Sequence, residues 1–182
     1  MESKKLKKVE HKTSHGSSFE KEKISSKPSF EEKGENKTRK DAHKLLVVIR
    51  IAGEVKVKPE VRETLDRMRL RRKYSCILVH GNNKNMVGMI EKVKYHISYG
   101  EIERDILEKL IKARGQGIDN KKFNAGDVSD EILKGKSLNE LGLKPFFRLH
   151  PPRGGIKSKL QYPLGVLGNN KSDINKLVER ML

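Results

Sequence analysis

Lys44-Leu45-Leu46-Val47-Val48-Ile49-Arg50-Ile51, closed by Ala52-Gly53, is the stretch whose reading decides the fold. Its run from Leu45 to Ile49 is unbroken apolar sequence, β-branched at its centre, and the glycine stops it, a pattern that predicts a buried strand. Beyond it, Pro59 suits the first turn of a helix. Val61, Leu65 and Met68 recur at i, i+4 and i+7, giving one apolar face through about Leu70. Ser75 to Val79 reads as a second short strand, ended by the turn cluster His80-Gly81-Asn82-Asn83. Met86, Met89, Ile90 and Val93 share one side of a second helix, and Tyr95 to Ile102 alternates as a third strand that Gly100 interrupts. The resulting β-α-β-α-β order predicts an α+β fold, a small sheet over residues 44–102 with its helices packed on one face.

Residues 103–182 read as a C-terminal extension of helices and loops. A helix from Glu103 to Arg114 carries Ile106, Leu107, Leu110 and Ile111, and Gly115-Gln116-Gly117 stops it. Asp127 to Lys134 and Ser137 to Leu141 are short helical candidates, and Phe146 to Leu149 a further strand. Ser172 or Asp173 is the expected cap of a last helix bearing Leu177, Val178 and Met181. Residues 1–43 differ from all of this. They hold twelve basic and eight acidic side chains, few apolar ones and no periodicity, so they are expected to form a basic tail that is disordered when free.

Charge sets the strongest bound on function. The 182 residues carry 41 Lys and Arg against 24 Asp and Glu, a net charge of +17. The tail supplies only +4 of that (12 − 8), leaving +13 on the remainder (17 − 4), so the excess belongs to a shaped surface as well as to an arm. Such self-repulsion favours a molecule that keeps a polyanion bound. The apolar run from Leu45 to Ile49 is far short of the ~20 residues that span a bilayer. No basic amphipathic helix with an aromatic face is present, so a membrane partner is not expected. Met1 to Glu10 is charged with no hydrophobic run behind it, which predicts no secretory signal. A single cysteine, Cys76, cannot form an internal disulfide and fits a reducing cytoplasmic setting.

Two segments concentrate the positive charge. Leu141 to Ser172 contains Lys144, Arg148, Arg153, Lys157, Lys159 and Lys171 and not one acid, with Phe146, Phe147, His150, Pro151-Pro152, Gly154-Gly155 and Tyr162 between them. A solvated surface normally mixes signs, so an acid-free stretch stiffened by Pro-Pro and loosened by Gly-Gly reads as a face for nucleic acid. Gly154 and Gly155 let backbone N–H groups approach a phosphate, with Arg153 and Lys157 flanking them. At least one of Phe146 and Phe147 should point into the core by strand alternation and the other could stack on a base, but core packing is the leading expectation for each taken alone. The second segment ends the first helix with Arg67, Arg69, Arg71, Arg72 and Lys73. Macrodipole complementarity accounts for one or two cations at a helix C-terminus, not for five, and arginine's planar fork suits phosphate.

Other chemistry is poorly represented. The six histidines (His11, His15, His43, His80, His96 and His150) have no metal-ligand spacing with Cys76, and no Cys-x-x-Cys occurs. Cys76, inside a strand, reads as a small buried apolar residue. Gly81-Asn82-Asn83 and Gly115-Gln116-Gly117 match no nucleotide-binding pattern. The expectation is therefore a binding protein without cofactor, metal or catalytic residue.

The same residues carry a resemblance. Val47-Val48-Ile49-Arg50-Ile51-Ala52-Gly53, Val57-Lys58-Pro59-Glu60-Val61, Thr64-Leu65 and Leu70-Arg71-Arg72 resemble the opening of the universal large-subunit ribosomal protein family numbered thirty in bacteria and archaea and seven in eukaryotes. Gly88-Met89-Ile90-Glu91-Lys92-Val93 and Ser98-Tyr99-Gly100-Glu101-Ile102 continue it. Lys112-Ala113-Arg114-Gly115, Phe147-Arg148-Leu149-His150-Pro151-Pro152-Arg153-Gly154-Gly155 and the ending Asp173-Ile174-Asn175 through Arg180-Met181 are similar to the longer archaeal and eukaryotic form. The short middle insertion looks archaeal, while the tail is longer than in an archaeal member. The resemblance covers residues 44–182. It implies a ferredoxin-like sheet with the first strand central and a structural role in the large ribosomal subunit. It also implies contacts to large-subunit rRNA near the 5S rRNA and to neighbouring ribosomal proteins, with no homo-oligomer. Lys84, Arg114, Lys121 and Lys122 then join the two cationic segments as candidate RNA-binding residues.

Two other readings compete. A free RNA-binding or RNA-remodelling factor would use the same basic surfaces. A small acylphosphatase-like enzyme would need a glycine-rich loop and an arginine immediately after the first strand. Here that strand runs into Ala52-Gly53-Glu54-Val55, placing a carboxylate where a phosphate should sit.

Overall fold

The computed structural model describes residues 44–118 and 123–182, so the expected tail and the candidate cations Lys121 and Lys122 lie outside the described residues. The apolar run forms strand β1 (Leu45–Arg50), followed by helix α1 (Pro59–Arg67), β2 (Ser75–His80), α2 (Lys84–Val93) and β3 (Ile97–Glu101). Strand β1 lies between β2 and β3 and is antiparallel to both, with Val47 opposite Leu78 on one side and Gly100 on the other. Strands β2 and β3 are therefore parallel, with β1 between them and α2 as the crossover, a split β-α-β arrangement. The extension supplies α3 (Arg104–Arg114), α4 (Ala125–Leu133), two-residue strands β4 (Phe147–Arg148) and β5 (Gly168–Asn169), and α5 (Ile174–Met181). Strand β4 adds antiparallel to β2 and β5 adds parallel to β3, giving the order β4-β2-β1-β3-β5.

Alternation along β1 divides the core. Val48 faces α1 and α2 together with Ile77, Val79, Ile97 and Tyr99, packing on Leu65, Met68, Leu70, Ile90 and Val93. Leu45, Val47, Ile49 and Cys76 face the other way, onto Leu107, Leu110 and Ile111 of α3, Ile132 of α4, and Ile174, Val178 and Met181 of α5. The first two helices occupy one face, as the pattern predicts, and the extension covers the second. Val47, Val48 and Ile49 are wholly buried, each worth about 1.5–3 kcal/mol relative to exposure. A strand apolar on both faces fits a sheet that is covered on both.

The structure corrects three expectations. Gly100 does not interrupt β3 but pairs with Val47 inside it; a Cβ there would meet the Lys171 carbonyl and come within 3.0 Å of the Ile174 side chain. The strand needs glycine because the entry to α5 crosses it closely. Ser137 to Leu141 forms a turn rather than a helix, with Leu138 buried and Leu143 N–H donating back to its carbonyl at 2.9 Å. Five residues are too few to propagate a helix once nucleated. Asp173 is the N-cap residue of α5, as expected, but its side chain makes no cap bond, because a 3-10 turn over Lys171–Asp173 precedes the helix and Asp173 N–H donates to Asn170 O at 3.0 Å. The Asp173 carboxylate instead accepts from Tyr162 Oη at 2.9 Å and Lys176 Nζ at 3.1 Å.

Candidate nucleic-acid interface

Strand register gathers the loops that matter at one end of the sheet. Arg50 lies opposite Ile97, Ile49 opposite Cys76, Ser75 opposite Arg148 and Ser98 opposite Gly168. The end at which β1 finishes is thus also where β2, β3 and β5 begin and where β4 finishes. Residues 51–58, 68–74, 94–96, 149–153 and 160–167 meet there. Two cationic segments separated by some eighty residues of sequence become neighbours through this topology. Tyr74 N–H donates to Arg50 O at 2.7 Å, and Leu149 N–H donates to Tyr74 O at 3.0 Å.

Arg50 builds the first segment. Its side chain is 2 % exposed, the largest fully buried one among the described residues. Its Nη1 donates to Leu70 O at 2.7 Å and Arg71 O at 2.6 Å, Nε to Ala52 O at 3.1 Å and Nη2 to Gly53 O at 3.2 Å. Burial lowers its pKa, and Glu54 and Asp66 work against that shift. Four carbonyl acceptors satisfy a charge that would otherwise be costly to desolvate. The geometry holds the backbone of Leu70 and Arg71 so that Arg69, Arg71, Arg72 and Lys73 all project into solvent. Arg69 adopts φ 60, a left-handed conformation that turns the chain out of α1.

Arg180 builds the second. From α5 its Nε and Nη2 donate to Arg153 O at 3.0 and 2.7 Å, and Nη2 donates also to Gly155 O at 2.8 Å. Arg153 N–H donates to Arg180 O at 2.9 Å, closing a reciprocal clasp. Gly154 and Gly155 take φ 76 and 69, consecutive left-handed residues for which glycine is the natural choice. Gly155 N–H is occupied by Pro152 O at 2.9 Å, whereas Gly154 N–H has no acceptor among the described residues. Arg153, Lys157 and Lys159 are exposed around this turn.

Ion pairing occupies several of the other cations, although among the described residues the exposed Lys84, Lys112, Lys134 and Lys171 are as unpaired as the cations of this end. Arg62, Lys92, Lys94, Arg104, Lys109, Lys136 and Lys176 each meet a carboxylate within 4 Å. Among the described residues, Arg69, Arg71, Arg72, Lys73, Arg148, Arg153, Lys157 and Lys159 have no such partner, leaving them free to neutralise an external anion. His150 is exposed beside them, and its N–H donates to Met181 O at 3.0 Å. Three further candidates differ from these in pairing or in place. Arg67 pairs with Glu63 at 2.6 Å, and Lys84 is exposed at the start of α2, at the opposite end of the sheet. Arg114 donates to Leu182 O at 3.0 Å. Of the two phenylalanines, Phe147 enters the core and Phe146 is half-buried with the Arg148 guanidinium 5.7 Å from its ring centre.

Sequence reasoning missed Arg50 and Arg180, which act on the site through backbone carbonyls. An arginine inside an apolar strand was the available signal for the first; the second has none, because its acceptors lie 25 and 27 residues away.

The architecture defines a class: a basic α+β protein of split β-α-β type whose extension doubles the core and whose loops present unpaired cations at one sheet end. A family model described as ribosomal protein L30p/L7e matches residues 46–97. The large ribosomal subunit protein uL30 of Ignicoccus hospitalis is 36% identical over 156 residues, covering 76% of this chain and 98% of that protein. Its counterpart of Aeropyrum pernix is 36% identical over 157 residues, and that of Hyperthermus butylicus 38% over 164, covering 99% and 91% of those proteins. The chain belongs to the L30p/L7e family of ribosomal proteins, in its archaeal-type long form, and is a structural rather than an enzymatic protein.

Proposed function

We propose that this protein is a cytoplasmic, structural constituent of the large ribosomal subunit, where it binds large-subunit rRNA and supports subunit assembly and translation. One observation carries the reading: the exposed cations of residues 69–73 and 148–159 lack carboxylate partners and share one end of the sheet, on loops fixed by Arg50 and Arg180. A rigid array of unpaired cations suits a backbone of regularly spaced phosphates. Family resemblance adds the neighbourhood of the 5S rRNA and of adjoining ribosomal proteins. The division of the chain follows: a basic tail over 1–43, a ferredoxin-like core over 44–102 and an RNA-facing extension over 103–182.

The test combines retention and salt dependence. The protein should stay with large subunits at stoichiometric level through a high-salt wash, whereas a free remodelling factor would wash off. Binding of the purified protein to large-subunit rRNA should weaken roughly 10³-fold or more between about 50 and 200 mM salt if six or more phosphates are contacted. Replacing Arg153, Lys157 and Lys159 together by Gln should impair binding while leaving stability within about ±0.5 kcal/mol. Affinity indifferent to both salt and that triple replacement would defeat the proposal.

A further inference from the structure

An exposed aromatic lies between the two cationic segments. Tyr95 is 62% exposed in the turn joining α2 to β3. On one side, the next residue's carbonyl, His96 O, accepts from Ile51 and Ala52 N–H at 3.1 and 3.0 Å. The adjoining Gly53 is so close to Lys73 that a Cβ would lie 2.8 Å from its Cε. On the other side, Gln161 Nε2 donates to Lys94 O at 3.5 Å, tying the turn to the loop that carries Lys157 and Lys159. Leu160 precedes that glutamine and is 59% exposed. These bonds put Tyr95 on a turn that adjoins both the loop next to Lys73 and the loop carrying Lys159. The Lys94 ammonium stands 5.7 Å from the Tyr95 ring centre and is itself paired with Glu91 at 3.5 Å.

We propose that Tyr95 is a stacking platform for one unpaired base of the bound RNA, whose backbone is held by the cations on either side. The proposal rests on the RNA-binding reading above and specifies its ligand as a single-stranded nucleotide rather than a continuous duplex. Chemistry supports the choice. Every base has a π-face, an exposed tyrosine offers a flat partner, and single-stranded segments are the RNA elements whose bases can be presented outward. Phe146 and Phe147 do not compete for this role, since one is half-buried and the other buried.

Three full-length variants, Tyr95→Ala, Tyr95→Phe and Lys157→Gln/Lys159→Gln, separate this idea from the reading beneath it. The probe is a single-stranded RNA oligonucleotide carrying 2-aminopurine, whose fluorescence is quenched on stacking; affinity for large-subunit rRNA is measured in parallel across salt concentrations. Tyr95→Ala should weaken oligonucleotide binding by about tenfold and abolish the quench. Tyr95→Phe should retain both, and the salt slope of Tyr95→Ala should match that of the parent, because no phosphate contact is lost. Thermal melting should be unaffected, as the side chain is largely in water. Wild-type affinity and quench in Tyr95→Ala, alongside weakened binding in the lysine variant, would overturn the platform and leave RNA binding intact. Equal loss in Tyr95→Phe would also overturn it, pointing to a hydroxyl contact. No binding by the parent protein would remove the reading and the platform together.

Discussion

Arg180 and Arg153 are both arginines at the same loop, but they do different work. Arg153 faces solvent, whereas Arg180 turns its fork inward onto two carbonyls. Lysine in place of Arg180 keeps the charge but cannot hold both acceptors in that geometry. Arg180→Lys should therefore weaken rRNA binding severalfold with an unchanged salt slope, a combination readable from affinities at three salt concentrations. Arg180→Gln should likewise keep the slope, whereas a slope reduced by about one in that variant would mark Arg180 as a phosphate ligand. His96 sets a pH dependence of its own. Burial, and secondarily the Arg50 guanidinium, lower its pKa, and its Nδ1 has no hydrogen-bond partner among the described residues. The unfolded chain then takes up a proton before the folded one does as pH falls. This contribution to stability is accordingly full above the ordinary histidine value near 6.5 and declines as pH drops through it. Melting His96→Gln beside the parent between about pH 5 and 8 should show a flatter profile in the variant. A parent profile already as flat would exclude the effect. Cys76, by contrast, has its thiol pushed far up by complete burial, consistent with the packing role that its strand position suggests.

The entry to α5 crosses β3 closely at Gly100. Gly100→Ala should push against the Lys171 carbonyl and the Ile174 side chain, costing about 1–3 kcal/mol. For a body of this size that corresponds to a fall of several degrees in the thermal midpoint. An unchanged midpoint would show that α5 can retreat without loss. This junction also explains what the sequence disclosed and what it withheld. Periodicity identified β1, α1, β2, α2, β3 and α3 within a few residues, because each buries a continuous apolar pattern of its own. Strand β5 went unseen: Gly168-Asn169 has no apolar signature and pairs with Ser98 and Tyr99 only through backbone. Gly100 looked like a break because its reason lies more than seventy residues further along the chain. The cations were visible as two segments of composition, but their meeting at one sheet end depends on strand register, and the clasps by Arg50 and Arg180 depend on backbone acceptors that carry no sequence mark.

At the scale of the whole molecule, the two-sided burial of β1 joins residues 44–102 to residues 103–182 more closely than a core with an appendage. Leu45, Val47, Ile49 and Cys76 lie against helices supplied entirely by the second part. A fragment ending at Ile102 should consequently bind a hydrophobic dye, melt without a cooperative transition, or self-associate. Cooperative melting of that fragment near the parent midpoint, without dye binding, would mean that the first part stands alone.

That shared core has a consequence for the timing of synthesis. A chain is made in order, and β1 is complete about 130 residues before α5 has been polymerised. At roughly 5–20 residues per second, one apolar side of the central strand stays only partly covered, by α3 and then α4, for about 7 to 26 seconds during translation. Ile174, Val178 and Met181 close it last. The nascent protein therefore passes through a vulnerable interval in which its most β-prone surface is exposed to its surroundings, and the final helix works as a latch that ends it.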